Sequence, residues 1–86
     1  MTSNMEERLA VQEVRGSGLW RIHLEVMRED GIWLGTAVAC CDTESFPVLR
    51  AVRYGPTAED AQYAAIETLR EAIATAEGRS NEKELQ

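Results

Sequence analysis

The stretch Tyr54–Gly78, YGPTAEDAQYAAIETLREAIATAEG, combines a helix start signal, a periodic interior and a stop signal. Thr57 is placed to cap a helix N-terminus, and Asp60 stands three residues later as an Asp variant of the capping box. Gly78 is the expected end of the helix. Residues spaced by three and four form one apolar face, bordered by Gln62 and Ile66: Ala58, Ala61, Ala65, Leu69, Ala72, Ile73 and Ala76. Because this face is mostly alanine, we expect the helix backbone to lie close to a sheet.

Residues 19–28 alternate between apolar and polar side chains, which predicts a half-buried strand with Trp20, Ile22, Leu24 and Val26 on one side. The turn signal at residues 29–31 allows two registers for the following strand. A two-residue Asp30–Gly31 loop would turn three apolar residues toward water, namely Ile32, Leu34 and Val38. A three-residue loop instead pairs Val26 with Leu34, Leu24 with Thr36, Ile22 with Val38 and Trp20 with Cys40. Hydrophobic matching favours this second register.

The remaining segments complete the expected fold. Residues 5–15 fit either a helix ended by Gly16 or a strand, and both readings stay open. Residues 46–54 predict a third strand with Pro47 at its start or on an edge; its faces are ambiguous because Arg50 shares a set with Val48, Val52 and Tyr54. We expect a disordered tail over 79–86. The expected fold class is α+β, a two-layer sandwich in one domain over 1–78. In it, a long C-terminal helix covers one face of a three-stranded antiparallel meander, and the N-terminal element adds a fourth strand or a helix.

Composition limits the function classes. Nine Lys plus Arg against fifteen Asp plus Glu give a formal charge of −6, the opposite of what phosphate-backbone binding requires. Without an apolar membrane-length run or a secretion-signal pattern, we expect a cytoplasmic protein. The two cysteines, Cys40 and Cys41, are adjacent and should point to opposite faces of a strand, which argues against an intrachain disulfide. One histidine and no Cys-x-x-Cys spacing predict no metal site, and no cofactor motif is present.

Two families share this order of elements over about residues 19–76. Three strands followed by a helix that starts with residues 55–61, GPTAEDA, resemble the HicB-type antitoxin fold. The same topology, with an alanine- and leucine-bearing helix, resembles the double-stranded RNA-binding domain. That second family places lysines at the start of this helix, where the present chain has Glu59 and Asp60. HicB-type antitoxins usually add a DNA-binding segment. Because we expect no room for such a segment after Gly78, the resemblance implies a HicB-like domain without it, whose role is to bind a protein partner.

The candidate site residues favour binding over catalysis. His23 near Glu25 could act as a general base, but no motif places a nucleophile beside it, so we predict no catalytic residues and no small-molecule substrate. In the preferred register, a flat, partly apolar strip lies on the sheet face away from the helix, formed by Met27, His23, Trp33, Gly35 and Ala37. We expect this strip to bind a protein, either a second copy in a homodimer or another chain. Alternatively, the N-terminal segment folds across the strip and covers it. The second functional hypothesis, an RNA-binding module, requires a basic patch assembled from Arg15, Arg21, Arg50 and Arg53.

Overall fold

A computed structural model describes residues 6–16, 18–43 and 45–84 of the chain. Four strands precede one helix: β1 (Glu6–Arg15), β2 (Gly18–Glu29), β3 (Ile32–Cys41), β4 (Leu49–Gly55) and α1 (Ala58–Glu84). The strands form one antiparallel sheet in the order β1-β2-β3-β4, and α1 packs on one of its faces. The predicted α+β class is confirmed. We call the face under α1 the inner face and the opposite face the outer face.

The N-terminal element is a strand and not a helix. β1 pairs with β2 along its whole length, with Leu9 opposite Leu24 and Val11 opposite Ile22. Both β1 residues therefore share the inner face with the core side chains of β2, because directly opposed residues of antiparallel strands point the same way. A helix over this segment could not make these paired contacts with β2. Strand pairing therefore decides between the two predicted conformations.

The predicted register of the β2–β3 hairpin is wrong. Its loop is the two-residue Asp30–Gly31, and both residues have positive φ, 53° and 82°, the conformation of a type I′ turn that suits Asp-Gly. The observed pairs are Trp20 with Cys41, Ile22 with Ala39, Leu24 with Ala37 and Val26 with Gly35. This arrangement places the smallest residues of β3 under the helix. Close approach of α1 outweighs the matching of large apolar side chains across the two strands.

Glycine and alanine make that close approach feasible. A Cβ atom at Gly35 would lie 2.5 Å from the carbonyl oxygen of Ala61, and one at Gly55 would lie 2.7 Å from the Ala61 nitrogen. Ala61, Ala65, Leu69 and Ile73 of α1 are completely buried, which confirms the predicted stripe. The larger core side chains come mainly from β2: Trp20, Ile22, Leu24 and Val26. Bulk on β2 and small residues on β3 together hold the helix near β3 and β4.

The start of α1 is confirmed and its end is not. The Asp60 amide donates to the Thr57 hydroxyl at 3.1 Å, so Thr57 caps the helix as predicted. Gly78 does not end the helix, which runs on to Glu84. A glycine ends a helix by adopting a positive φ, and Gly78 does not. The expected disordered tail is thus helical as far as Glu84, while residues 85 and 86 lie outside the described residues.

β4 resolves the ambiguity of the third predicted strand. It begins at Leu49 and not at Phe46, and the preceding Phe46 ring lies 5.4 Å from the Trp20 ring. Leu49 and Ala51 face inward, so Arg50, Val52 and Tyr54 point outward. Arg53 shares the inward parity but sits at the sheet edge, exposed, where it donates to the Thr68 hydroxyl at 2.8 Å.

Candidate functional site

The outer face of the sheet carries five of the eight exposed large hydrophobic residues in the described part of the chain: Val14, Met27, Ile32, Val52 and Tyr54. Met27, Leu34 and Tyr54 stand side by side across β2, β3 and β4, and Thr36 and Val52 form the next row. Met27, Val52 and Tyr54 are 42%, 46% and 63% exposed. We call the apolar group on this face the outer patch and define it by Met27, Ile32, Leu34, Val38, Val52 and Tyr54. Its members lie on three neighbouring strands, so the sheet fixes the relative positions of their backbones.

The register correction moves three of the five predicted site residues. Trp33, Gly35 and Ala37 lie on the inner face, where Gly35 and Ala37 are buried beneath α1 and Trp33 is half-buried at the end of the sheet. They cannot form the strip that was expected. Met27 and His23 do lie on the outer face, and their partners on β3 are Leu34 and Val38.

Sequence reasoning missed the members of the outer patch on β3 and β4. The three-residue-loop register directs Leu34 and Val38 inward because their apolar character matches that of β2. The signal that could have placed them is the alanine stripe of α1, since a helix that approaches closely needs glycine and alanine beneath it. Gly35, Ala37 and Ala39 alone meet that need on β3, and their parity sends the larger residues outward.

Charged side chains surround the outer patch. Arg8 and Glu25 stand opposite each other on β1 and β2, with 3.5 Å between the Arg8 Nε and a Glu25 carboxylate oxygen. Arg21 and Arg50 lie further along the same face, and both are exposed. Glu29 lies on the same face at the turn between β2 and β3, so the side chains described there include three arginines and two glutamates. These arginines bring positive charge to the border of the patch, although the chain as a whole has a charge of −6.

The four arginines of the RNA-binding hypothesis do not form one patch. Arg21 and Arg50 point outward, whereas Arg15 and Arg53 have inward parity and interact with residues of α1. His23, the candidate base, is exposed between Ala10 and Val38, so its cross-strand neighbours are apolar. Neither arrangement concentrates the groups that its hypothesis requires.

An ion-pair network joins β1 to α1 at the inner face; its members are Glu13, Arg15, Glu67, Arg70 and Glu77. Arg70 donates to Glu13 from Nε at 2.8 Å and lies 2.7 Å from the same oxygen through Nη2, and Arg15 Nη2 donates to Glu13 at 3.1 Å. Burial opposes ionisation of Glu13, but the hydrogen bonds from Arg70 and Arg15 outweigh it, so the pKa of Glu13 lies below its usual value. The hydrogen bond to Glu13 raises the pKa of Arg70 in turn.

The same network reaches the core through the indole of Trp20, which donates to Glu77 at 3.1 Å. Glu77 also lies 3.9 Å from Arg15. These groups hold the second half of α1 over the end of β1 and β2 and are already engaged with one another. We therefore assign them a structural role.

The two cysteines lie on opposite faces of the sheet. Cys40 is exposed on the outer face and Cys41 is half-buried on the inner face, both as free thiols, which confirms their predicted opposite orientation. Across residues 6–16, 18–43 and 45–84, no three His, Cys, Asp or Glu side chains come together in a metal-binding group. No helix in this part of the chain is both long and apolar enough to cross a membrane.

Comparison with known proteins adds no relative: no family model, no curated protein and no solved structure matches the chain.

Proposed function

We propose that this chain is a small, non-enzymatic protein-binding domain and that the outer patch is its partner surface. The observation that carries the proposal is the patch itself: apolar side chains on three adjacent strands, uncovered by α1 and bordered by charged residues. An apolar centre within a polar rim is the usual composition of a protein interface. The resemblance of the sequence to HicB-type antitoxins implies the same role, binding a protein partner.

The arginines at the border of the patch specify the partner further. Arg21 and Arg50 flank the patch and are exposed, and Arg8, the third arginine described on this face, already contacts Glu25. A complementary surface presents apolar side chains with acidic residues around them, because opposite charges at the rim steer the encounter and exclude wrong partners. The exposed side of α1, which bears Glu59, Asp60 and Glu71, is unsuited to such a partner.

Matched variants test the proposal. Val52→Glu places a charge within the patch, on β4, and Tyr63→Glu places one on the exposed side of α1, where Tyr63 is 68% exposed. When the tagged protein is purified from its own cells, a partner should co-purify with the wild type and with Tyr63→Glu but not with Val52→Glu. Calorimetry with the purified partner should then show at least a tenfold loss of affinity for Val52→Glu, which is about 1.4 kcal/mol.

Two results would contradict the proposal. One is equal affinity of the partner for the wild type and for Val52→Glu. The other is that the protein binds duplex RNA at low salt and loses this binding when Arg21 and Arg50 are replaced. That result would show that the outer face binds RNA.

A further inference from the structure

β1 presents an open edge. It is an outermost strand of the sheet, and no described strand lies beyond it. The Asp42 amide donates to the Leu19 carbonyl at 2.9 Å, so the odd-numbered residues of β2 bond toward β3 and its even-numbered residues bond toward β1. The odd-numbered residues of β1 are their partners. The backbone N–H and C=O groups of Arg8, Ala10 and Gln12 consequently point away from the sheet.

The two halves of this edge differ. At the end of β1 that leads into β2, Glu13 and Arg15 point inward and bind side chains of α1. Inward charges of this kind discourage pairing with another strand. Around Leu9, nearer the start of β1, α1 does not cover the strand, because the helix there lies over β3 and β4. Leu9 therefore remains 49% exposed even though it lies on the inner face. The half around Leu9 therefore combines open backbone groups with an uncovered apolar side chain on the inner face, and it lacks the inward charges of the other half.

From this geometry we infer that β1 pairs antiparallel with β1 of a second copy of this chain, about a two-fold axis at Leu9. Leu9 stands opposite Leu9 in a non-hydrogen-bonded pair, in which Cα atoms lie about 4.5 Å apart. Arg8 and Ala10 of opposite copies exchange backbone hydrogen bonds. The product is a continuous eight-stranded sheet with both helices on one face, and its two-fold symmetry closes the assembly at a dimer.

Charge and apolar matching select this register. An axis at Ala10 would set Glu13 opposite residue 7, which is also a glutamate, and an axis at Val11 would set Leu9 opposite Glu13. The axis at Leu9 leaves Glu13 and Arg15 outside the new ladder, still bound to α1. The symmetry-related Arg8 side chains approach each other diagonally, and each lies 3.5 Å from a carboxylate oxygen of its own Glu25, which offsets part of their repulsion.

The opposite edge is less suited to self-pairing. β4 has seven residues against the ten of β1. It also carries an arginine on each face, Arg50 outward and Arg53 inward. Pairing β4 with itself would bring these cations close to their symmetry mates.

Disulfide trapping tests the register. In a Cys40→Ser, Cys41→Ser background, Leu9→Cys should form a covalent dimer under mild oxidation, because a Cα separation of about 4.5 Å suits a disulfide. Val14→Cys, at a position 83% exposed on the same strand, should stay monomeric on a non-reducing gel. Equal cross-linking of Val14→Cys, or faster cross-linking of Val11→Cys than of Leu9→Cys, would overturn the inferred register.

Light scattering tests the assembly without cross-links. Ala10→Pro removes an N–H that points to the free edge, so it should convert a dimer into a folded monomer while the β1–β2 ladder stays intact. Val14→Pro removes the equivalent N–H outside the new ladder and should leave the dimer mass unchanged. A monomeric wild type at millimolar concentration, or a dimer that survives Ala10→Pro, would refute the inference. Val52→Glu should keep the dimer mass, so failure here is separate from failure of the outer patch.

Discussion

Replacing Gly35 with alanine probes the contact on which the register and the helix position depend. A Cβ at this position would lie 2.5 Å from the Ala61 carbonyl oxygen and 2.9 Å from the Ala61 carbonyl carbon. Both are backbone atoms of a buried helix turn, so relief requires a shift of α1 itself, away from the sheet. Overpacking of this kind costs about 1–3 kcal/mol.

A smaller opposing term comes from the unfolded chain. Alanine restricts its backbone more than glycine does, which stabilises the folded state by about 0.4–1 kcal/mol where the native conformation is compatible. We therefore expect a net loss of about 1–2 kcal/mol for Gly35→Ala, against a total stability of about 4–13 kcal/mol for a chain of this length. With a urea m-value of about 1 kcal/mol/M, the unfolding midpoint should fall by about 1–2 M.

The assay is urea unfolding followed by tryptophan fluorescence, with Gly78→Ala as the matched control. A Cβ at Gly78 meets nothing within 4 Å and Gly78 lies inside α1, so this variant should gain about 0.5–1 kcal/mol. The double variant Gly35→Ala, Ala61→Gly should not regain wild-type stability, because the closest atoms belong to the backbone of Ala61.

An unchanged or higher midpoint for Gly35→Ala would refute the reasoning. In the three-residue-loop register Gly35 would face away from α1, and alanine there would be neutral or stabilising. Full recovery on adding Ala61→Gly would show that side chains, and not backbones, make the contact.

Two further substitutions test how α1 is held. Glu13→Gln should lower the free energy of unfolding at neutral pH by about 1–2 kcal/mol, because the hydrogen bonds from Arg70 and Arg15 lose their charged acceptor. A carboxyl group whose pKa is lowered by folding stabilises the folded state at pH values above its unfolded pKa. The difference in unfolding free energy between wild type and Glu13→Gln should therefore shrink as pH falls below the ordinary value of 4.5. A difference that stays constant down to pH 3 would contradict this role of Glu13. Thr57→Ala should cost about 1 kcal/mol through loss of the cap to Asp60, whereas Thr57→Ser should retain most of it; equal stability of all three proteins in thermal unfolding would show that the cap contributes nothing.

Local signals in the sequence determined several features. Thr57 caps the helix because its hydroxyl accepts a hydrogen bond from the Asp60 amide, and this contact requires no residue outside the helix start. The stripe through Ala61, Leu69 and Ile73 follows from helical periodicity, and the core side of β2 follows from alternation. The expected opposite orientation of Cys40 and Cys41 rests on the same period of two.

Tertiary packing decided the rest. The choice between helix and strand for β1 depended on a partner strand, β2, whose pairing no local pattern shows. The register of β3 depended on the distance between α1 and the sheet, which is a property of two elements brought together. This distance requires a glycine at position 35, beneath Ala61. That one-residue difference turned Trp33, Gly35 and Ala37 inward and placed Leu34, Val38 and Ile32 on the outer face. The candidate site therefore followed from the packing of the helix, because alternate residues of a strand must exchange faces whenever its register moves by one.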